Sequence, residues 1–183
     1  MNARLLRASD RAARPWKNGG GVTHDIVVSP EGADDGDFLW RASIATIAAP
    51  GPFSLFPGVE RALMLLSGRL IIDVGSGSAQ ALEPGAPALL FSGEAPVQAR
   101  PAGEACQVLN IMARRGGVSI ALNRWTKARS TNAGTLLLFA PSPIRIATGS
   151  DGFELQADDA LLLNGPGEPI SLSGAVIAAE FFL

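Results

Sequence analysis

The run Pro15-Trp16-Lys17-Asn18-Gly19-Gly20-Gly21-Val22-Thr23 sets an aromatic ring, a cation and an amide directly before three glycines. Glycine enters positive φ without steric cost, so successive N–H groups can turn toward one point, while Lys17 supplies charge and Asn18 directional hydrogen bonds. Two readings stand: a loop that carries backbone up to an anionic ligand, and a tight turn with Lys17 in solvent. Further downstream, chemistry-bearing side chains recur at alternate positions of apolar runs. Over 38–46, extended alternation sets Arg41 and Ser43 on one face with Leu39 and Ala45, and Trp40, Ala42 and Ile44 on the other. Arg61 shares a face with Leu63 and Leu65, and Asn110 shares one with Met112. Each arginine is either a cation on an interior wall or a long side chain on a half-exposed sheet. Asn110 is disfavoured inside a strand, so it marks a ligand contact or else a bulge or edge. Trp16 and Phe53 read as pocket rim or core.

Other chemistries lack the side chains they require. A His-rich metal centre needs two or three imidazoles and a carboxylate, and His24 is the one histidine, so no metal and no cofactor is expected. His24 itself reads first as a hydrogen-bonding structural residue and second as a ligand contact. The acidic loop over 31–37 lacks the spacing and closing glutamate of an EF-hand and reads as a solvated loop. Cys106 has no histidine near it in sequence, and no nucleophile elbow is present. In the glycine run the lysine precedes the glycines and no Gly-Lys-Ser/Thr ending follows, which excludes a P-loop. No catalytic residue is assigned.

The elements that must position these residues are strands. Apolar runs of strand length lie over 38–46, 61–66, 69–74, 87–91, 108–112, 118–122, 135–139, 144–147, 160–163 and 175–182, with glycine and proline in nearly every gap. Many short strands with turn signals between them imply an all-β sandwich or barrel, and no segment carries a helical stripe with caps at both ends. The stretch 70–90 is echoed by 153–163, each running strand, polar turn, strand. Repetition of this kind is expected of a duplicated jelly roll with a boundary between Gly116 and Thr131. A chain of 183 residues, 47% hydrophobic and 17% charged, is long and apolar enough to fold around a sizeable core. Its net charge of -2, with scattered basic residues, offers no footprint for nucleic acid. No signal-peptide core and no uncharged membrane span is visible, so a cytoplasmic protein without membrane association is expected. The single cysteine agrees with a reducing compartment. All but two of the 15 basic residues are arginine, which with the many alanines suggests a GC-rich bacterial genome.

Four blocks carry a family resemblance: 15–23, then Leu39-Trp40-Arg41-Ala42-Ser43-Ile44-Ala45, then Gly51-Pro52-Phe53-Ser54-Leu55-Phe56-Pro57-Gly58-Val59-Glu60-Arg61, then Leu109-Asn110-Ile111-Met112-Ala113-Arg114. In this order they resemble the signature blocks of the HutD/Ves family. The resemblance implies a cupin-like double-stranded β-helix, or jelly roll, arranged as a compact bicupin. It also implies a link to bacterial histidine utilisation, in which a pathway intermediate is bound and flux is moderated, with no established catalysis. Val108 stands where the family usually has an acidic residue, His24 where arginine is frequent, and Asp25 in place of the commoner glutamate.

Parity and resemblance together predict two halves, a first barrel over 1–120 with the glycine-rich motif on its N-terminal segment and a smaller second half over 121–183. The expected ligand pocket lies in the first. Its residues are Lys17, Asn18, Gly19, Gly20, Gly21, Thr23, Arg41, Ser43, Arg61, Asn110 and Met112. Arginine forks onto carboxylates, so the expected ligand is a small carboxylate metabolite, with urocanate and a formylated glutamate as the candidates the resemblance suggests. Two alternatives remain open. One is a metal-independent isomerase or lyase with His24, Asp25, Glu60 or Lys17 as base. The other is a protein-interaction regulator without a small ligand. Exposed edge strands leave room for a homodimer.

Overall fold

The computed structural model describes residues 2–16, 19–34, 36–75 and 77–183. Lys17 and Asn18 therefore lie outside the described residues. In chain order the strands are β1 (Asn2–Leu6), β2 (Ala13–Pro15), β3 (Gly21–Ser29), β4 (Trp40–Ile47), β5 (Gly51–Pro52), β6 (Val59–Ser67), β7 (Leu70–Val74), β8 (Gln80–Leu82) and β9 (Leu89–Ser92). They continue as β10 (Val97–Pro101), β11 (Cys106–Arg114), β12 (Ser119–Trp125), β13 (Thr135–Phe139), β14 (Ile144–Thr148), β15 (Asp151–Leu155), β16 (Ala160–Asn164), β17 (Ile170–Leu172) and β18 (Val176–Phe182). One short 3-10 turn, Ala8–Asp10, is the helical exception among the described residues. The protein is all-β, as the punctuation of apolar runs implied.

The chain divides into two compact units, Ala12–Gly117 and a second made of Val118–Leu183 with Met1–Arg11. In the first, a six-stranded sheet (β2-β3-β4-β11-β6-β9) and a four-stranded sheet (β5-β10-β7-β8) enclose a core. Ile47, Leu63, Leu65, Leu70, Ile72, Phe91, Val97 and Val108 fill it from both sheets. The second unit pairs a five-stranded sheet (β1-β16-β13-β18-β12) with a three-stranded one (β15-β14-β17), around Trp125, Leu136, Leu138, Ile146, Leu161, Leu163 and Val176. Burying one such aliphatic or aromatic side chain contributes about 1.5–3 kcal/mol, so these clusters are where most of the folding free energy arises. The echo between 70–90 and 153–163 has a structural counterpart. In each unit a strand of the smaller sheet (β7, β15) is followed by a strand of the larger (β9, β16), with β8 inserted in the first unit.

Residues 2–11 depart from the expected division, which gave the N-terminal segment to the first half. β1 pairs with β16 from Asn2↔Asn164 to Leu6↔Ala160 and lays Ala3 and Leu5 on the second unit's core. It thereby covers one side of β16, whose backbone groups would otherwise form an unpaired edge. Asp159, 3% exposed, locks the end of this strand. It accepts hydrogen bonds from Ala8 N–H at 2.8 Å, Gln156 N–H at 2.9 Å and Arg7 Nη1 at 2.7 Å. Burial opposes the carboxylate's charge and is the largest single influence, but the combined hydrogen bonds and the Arg7 charge outweigh it and hold the pKa below 3.8.

A carboxyl group whose pKa is lowered by folding contributes stability above its unfolded value and loses it as pH falls through the folded one. Asp159→Asn should therefore cost about 2 kcal/mol at pH 7, because the amide's NH2 cannot accept from the backbone donors it faces. The gap from the wild type should close as pH drops below 3.8. Urea unfolding at pH 7 and along an acid series measures both, and a gap that persists in acid would show that the anchor works through something other than the charged carboxylate.

Candidate functional site

The middle of the six-stranded sheet aligns three strands in register. β11 pairs with β4 as Met112↔Arg41, Asn110↔Ser43 and Val108↔Ala45, and with β6 as Met112↔Arg61, Asn110↔Leu63 and Val108↔Leu65. Paired residues of an antiparallel ladder share a face, so three parallel rows run across the sheet. Ala45-Val108-Leu65 is apolar and belongs to the core. Ser43-Asn110-Leu63 is mixed. Arg41-Met112-Arg61 ends the series with two cations, about 10 Å apart across two strand spacings. One face is thus packed core at one end and polar at the other, and the parity reading of Arg41, Ser43, Arg61, Asn110 and Met112 describes the side chains that the register brings together.

These rows form the floor of a pocket of about 930 Å³ in the first unit. Its walls are Arg14, Pro15, Trp16 and Thr23 on one side, and the segment from Pro52 to Pro57 on the other, with Arg114 at the end of β11. Every ionisable side chain among the described lining residues is an arginine: Arg14, Arg41, Arg61 and Arg114. A cavity so lined attracts anions.

The two arginines of the floor, each 7% exposed, are held differently. Arg41 Nε donates to Asp25 Oδ1 at 2.6 Å, and Asp25 Oδ2 accepts from Arg14 Nη2 at 2.5 Å. Arg61 has no carboxylate partner among the described residues. Its guanidinium lies 4.9 Å from the Phe91 ring centroid, 5.2 Å from Phe53 and 5.7 Å from Phe56. Nη1 donates to Ser54 O and Nη2 to Asn110 Oδ1, both at 3.3 Å, and the buried Nε has no partner. Three ring faces offset part of the desolvation of the cation. The rest remains as a burden: burial pulls the Arg61 pKa down to about 10. The group stays charged at neutral pH, and the fall from the ordinary guanidinium value corresponds to a cost on the order of 3 kcal/mol.

Backbone contacts hold the wall around Arg61 in place. Gly93 N–H donates to Val59 O at 2.7 Å and Phe56 N–H donates to Gly93 O at 2.8 Å. A Cβ on Gly93 would stand 2.3 Å from Phe56 O, so only glycine permits this approach. Glu94 accepts from Gly58 N–H at 2.6 Å and is ion-paired to Arg115. Arg114 reaches two loops at once, with Nη1 donating to Pro57 O at 3.4 Å and Nη2 to Gly36 O at 2.5 Å.

The glycine-rich run contributes differently from a cradle of amides. Gly19 N–H is given to Trp16 O, and Gly21 O accepts from Trp16 N–H. A Cβ on Gly21 would meet Thr46 O at 2.4 Å and the Trp16 ring at 3.1 Å, so this glycine lets the indole lie against β3. Trp16 Nε1 donates to Thr23 Oγ1 at 2.8 Å, and its ring meets Phe53 edge-on at 6.3 Å. Trp16 and Thr23 line the pocket, whereas Gly19, Gly20 and Gly21 stand outside its lining. Sequence reasoning passed over Arg14, Phe56, Phe91 and Arg114. Phe56 and Arg114 lie inside the quoted blocks, but neither alternation nor residue type reveals that a loop ring and a strand-end arginine close a wall. His24, on β3, and Glu60, ion-paired to Arg115, are likewise outside the lining. Among the described residues no group of three or more His, Cys, Asp or Glu side chains converges as a metal site requires. Nor does any described helix have the length and apolarity to cross a membrane.

With this geometry in hand, four likenesses are informative. The family model for HutD matches residues 8–179. An uncharacterized 21.2 kDa protein in the hutC 3' region of Pseudomonas putida is 37% identical over 179 residues, spanning 92% of this chain and 90% of that protein. The structure of HutD from Pseudomonas fluorescens superposes with a TM-score of 0.87 at 26% identity, over 99% of this chain and 98% of that one. An oxalate decarboxylase variant from Bacillus subtilis, at 10% identity, shares the fold alone, with a TM-score of 0.66 over 97% of this chain and 76% of that one. The double-sheet architecture is cupin-like, and the chain belongs to the HutD family.

Proposed function

We propose that the first unit binds a small carboxylate metabolite in this pocket, and that through such binding the protein moderates histidine utilisation. The observation that carries the reading is Arg61, a buried cation with an unbonded Nε and no described carboxylate partner, at the bottom of a cavity lined by arginines. A ligand carboxylate would accept the free N–H and offset the charge that burial leaves exposed to low dielectric. Thr23, Ser43 and Asn110 add hydrogen bonds that orient the rest of the molecule, and Trp16, Phe53 and Met112 supply apolar walls. The expected roles of Lys17 and Asn18 stay part of this proposal. The ligand candidates are urocanate and formylglutamate, in keeping with the relative named for the hutC region. A binder is favoured over an isomerase or lyase because none of the described lining residues is a histidine, lysine, aspartate or glutamate that would serve as base.

Calorimetric titration with urocanate, formylglutamate, glutamate and histidine tests the reading. At least one should bind with sub-millimolar affinity, and Arg61→Leu should weaken it by about 10- to 100-fold, the scale of a lost charge-assisted bond. The same substitution should leave the unliganded protein no less stable, since it removes a cation whose burial is penalised at every pH below about 10. Four silent titrations, or binding that survives Arg61→Leu, would sink the proposal.

Gly93→Ala tests the wall independently. The added methyl meets backbone oxygen rather than a flexible side chain, so Phe56 must shift away from Arg61. Ligand affinity should fall several-fold and thermal unfolding should report a loss of about 1–3 kcal/mol. Unchanged affinity would mean that the Phe56 ring plays no part in the site.

A further inference from the structure

The two deep arginines differ in what already neutralises them. Arg41 is bonded through Nε to Asp25, which also holds Arg14, whereas Arg61 has aromatic faces and Asn110 but no carboxylate. Asp25 reaches this position through a break in strand alternation. β3 pairs with β4 as Asp25↔Ser43 and then as Val27↔Ala42 and Val28↔Arg41, so Ile26 is an extra residue in β3. The bulge sets Val28 directly opposite Arg41 and leaves Asp25 two pairs away, on the row of Ser43, from which its carboxylate extends diagonally to Nε. Bulges of this kind re-aim side chains beside binding sites.

Local charge follows from exposure. Arg14, with 48% of its side chain exposed, is screened by water, while Arg41 is 8% exposed. Asp25, itself 32% exposed, therefore sets a carboxylate against the buried Arg41 from the edge of the site, whereas Arg61 has no carboxylate partner among the described residues. A ligand carboxylate at Arg61 completes the charge balance. A second carboxylate against Arg41 would also face the Asp25 carboxylate behind it, a like charge that is about one-third exposed and so only partly screened. An uncharged acceptor, such as an amide oxygen, meets the same guanidinium without that repulsion.

We propose that Asp25 is a specificity-determining residue, which sets the pocket to take a ligand with one negative charge at Arg61 and a neutral hydrogen-bonding group at Arg41, and so favours the monoanion urocanate over the dianion formylglutamate among the candidates named above. This rests on the reading of the pocket as a carboxylate site. Asp25 acts through Arg41, so its signature is the charge preference and not affinity alone.

Glutaramate and glutarate probe this directly, since they share a carbon skeleton and differ in whether one end is an amide or a carboxylate. Calorimetric titration of the full chain at neutral pH should give glutaramate at least a tenfold advantage. Asp25→Asn, which keeps the side-chain shape, should move the ratio at least tenfold toward glutarate, and Asp25→Glu should keep the wild-type order. The wild-type ratio stands as a test even where a variant melts early in a thermal scan. Equal or tighter binding of glutarate by the wild type, or a ratio that Asp25→Asn leaves unmoved, overturns the assignment. If a histidine-pathway acid binds but the ratio is unmoved, only this inference falls. If neither probe nor any such acid binds, the carboxylate reading falls and takes this inference with it.

Discussion

The antiparallel register of β4, β11 and β6 is the constraint from which the rest of the first unit follows. Because side chains alternate strictly, pairing Met112 with both Arg41 and Arg61 also forces Val108 beside Ala45 and Leu65. Core and site are thus two ends of one face. A slip of one residue would turn both arginines to the reverse face, among Trp40, Met64, Leu109 and Ile111, and carry the core residues with them. The fold cannot keep its apolar interior without also presenting the two cations to the same side, so the packing of the core and the placement of the two cations rest on the same register.

Given that register, electrostatics distinguishes the two cations. Folding removes Arg61 from water and returns two long hydrogen bonds and three aromatic faces, which together fall short of restoring its ordinary pKa. Arg41 is returned a carboxylate. Such asymmetry is what a site prepared for a partner requires: one cation already oriented, the other waiting with an open donor. The neighbouring wall is correspondingly stiff. Gly93, Glu94 and Arg114 fasten the Phe56–Gly58 backbone through hydrogen bonds, so the rings around Arg61 are set before any ligand arrives.

Much of this was legible in the residues. Strand alternation placed Arg41 with Ser43, Arg61 with Leu63, and Asn110 with Met112, because period-2 geometry is local and needs no knowledge of the partner strand. What alternation could not supply is which strands become neighbours, and the rows across the sheet are a property of neighbours. β3 was passed over as a strand because His24 and Asp25 interrupt its β-branched run, and Asp25's ion pair depends on a bulge that no pattern announces. The glycine-rich motif shows the opposite difficulty. Its composition suggests amides turned toward a ligand, whereas Gly21 answers the nearness of the Trp16 ring and Thr46 O, a contact visible only in three dimensions. The N-terminal strand was given to the wrong half for a similar reason: its pairing with β16 spans nearly the whole chain.

The second unit builds the same layers from a different set of side chains. Its larger sheet has the same layered plan, yet β13 and β16 read Thr-Leu-Leu-Leu-Phe and Ala-Leu-Leu-Leu-Asn, with every residue buried except Asn164. Among its described residues no arginine is buried, the exposed Arg129 lying 5.2 Å from the Trp125 ring centroid, and the inner face runs apolar along β18 until Glu180, whose carboxylate accepts from Thr131 Oγ1 at 2.6 Å. In the first unit the inner face turns polar at Ser43 and Asn110 and ends in Arg41 and Arg61. Arginine, asparagine and serine at inward positions line the cavity of the first unit, where leucine at inward positions packs the core of the second, on sheet scaffolds of the same kind.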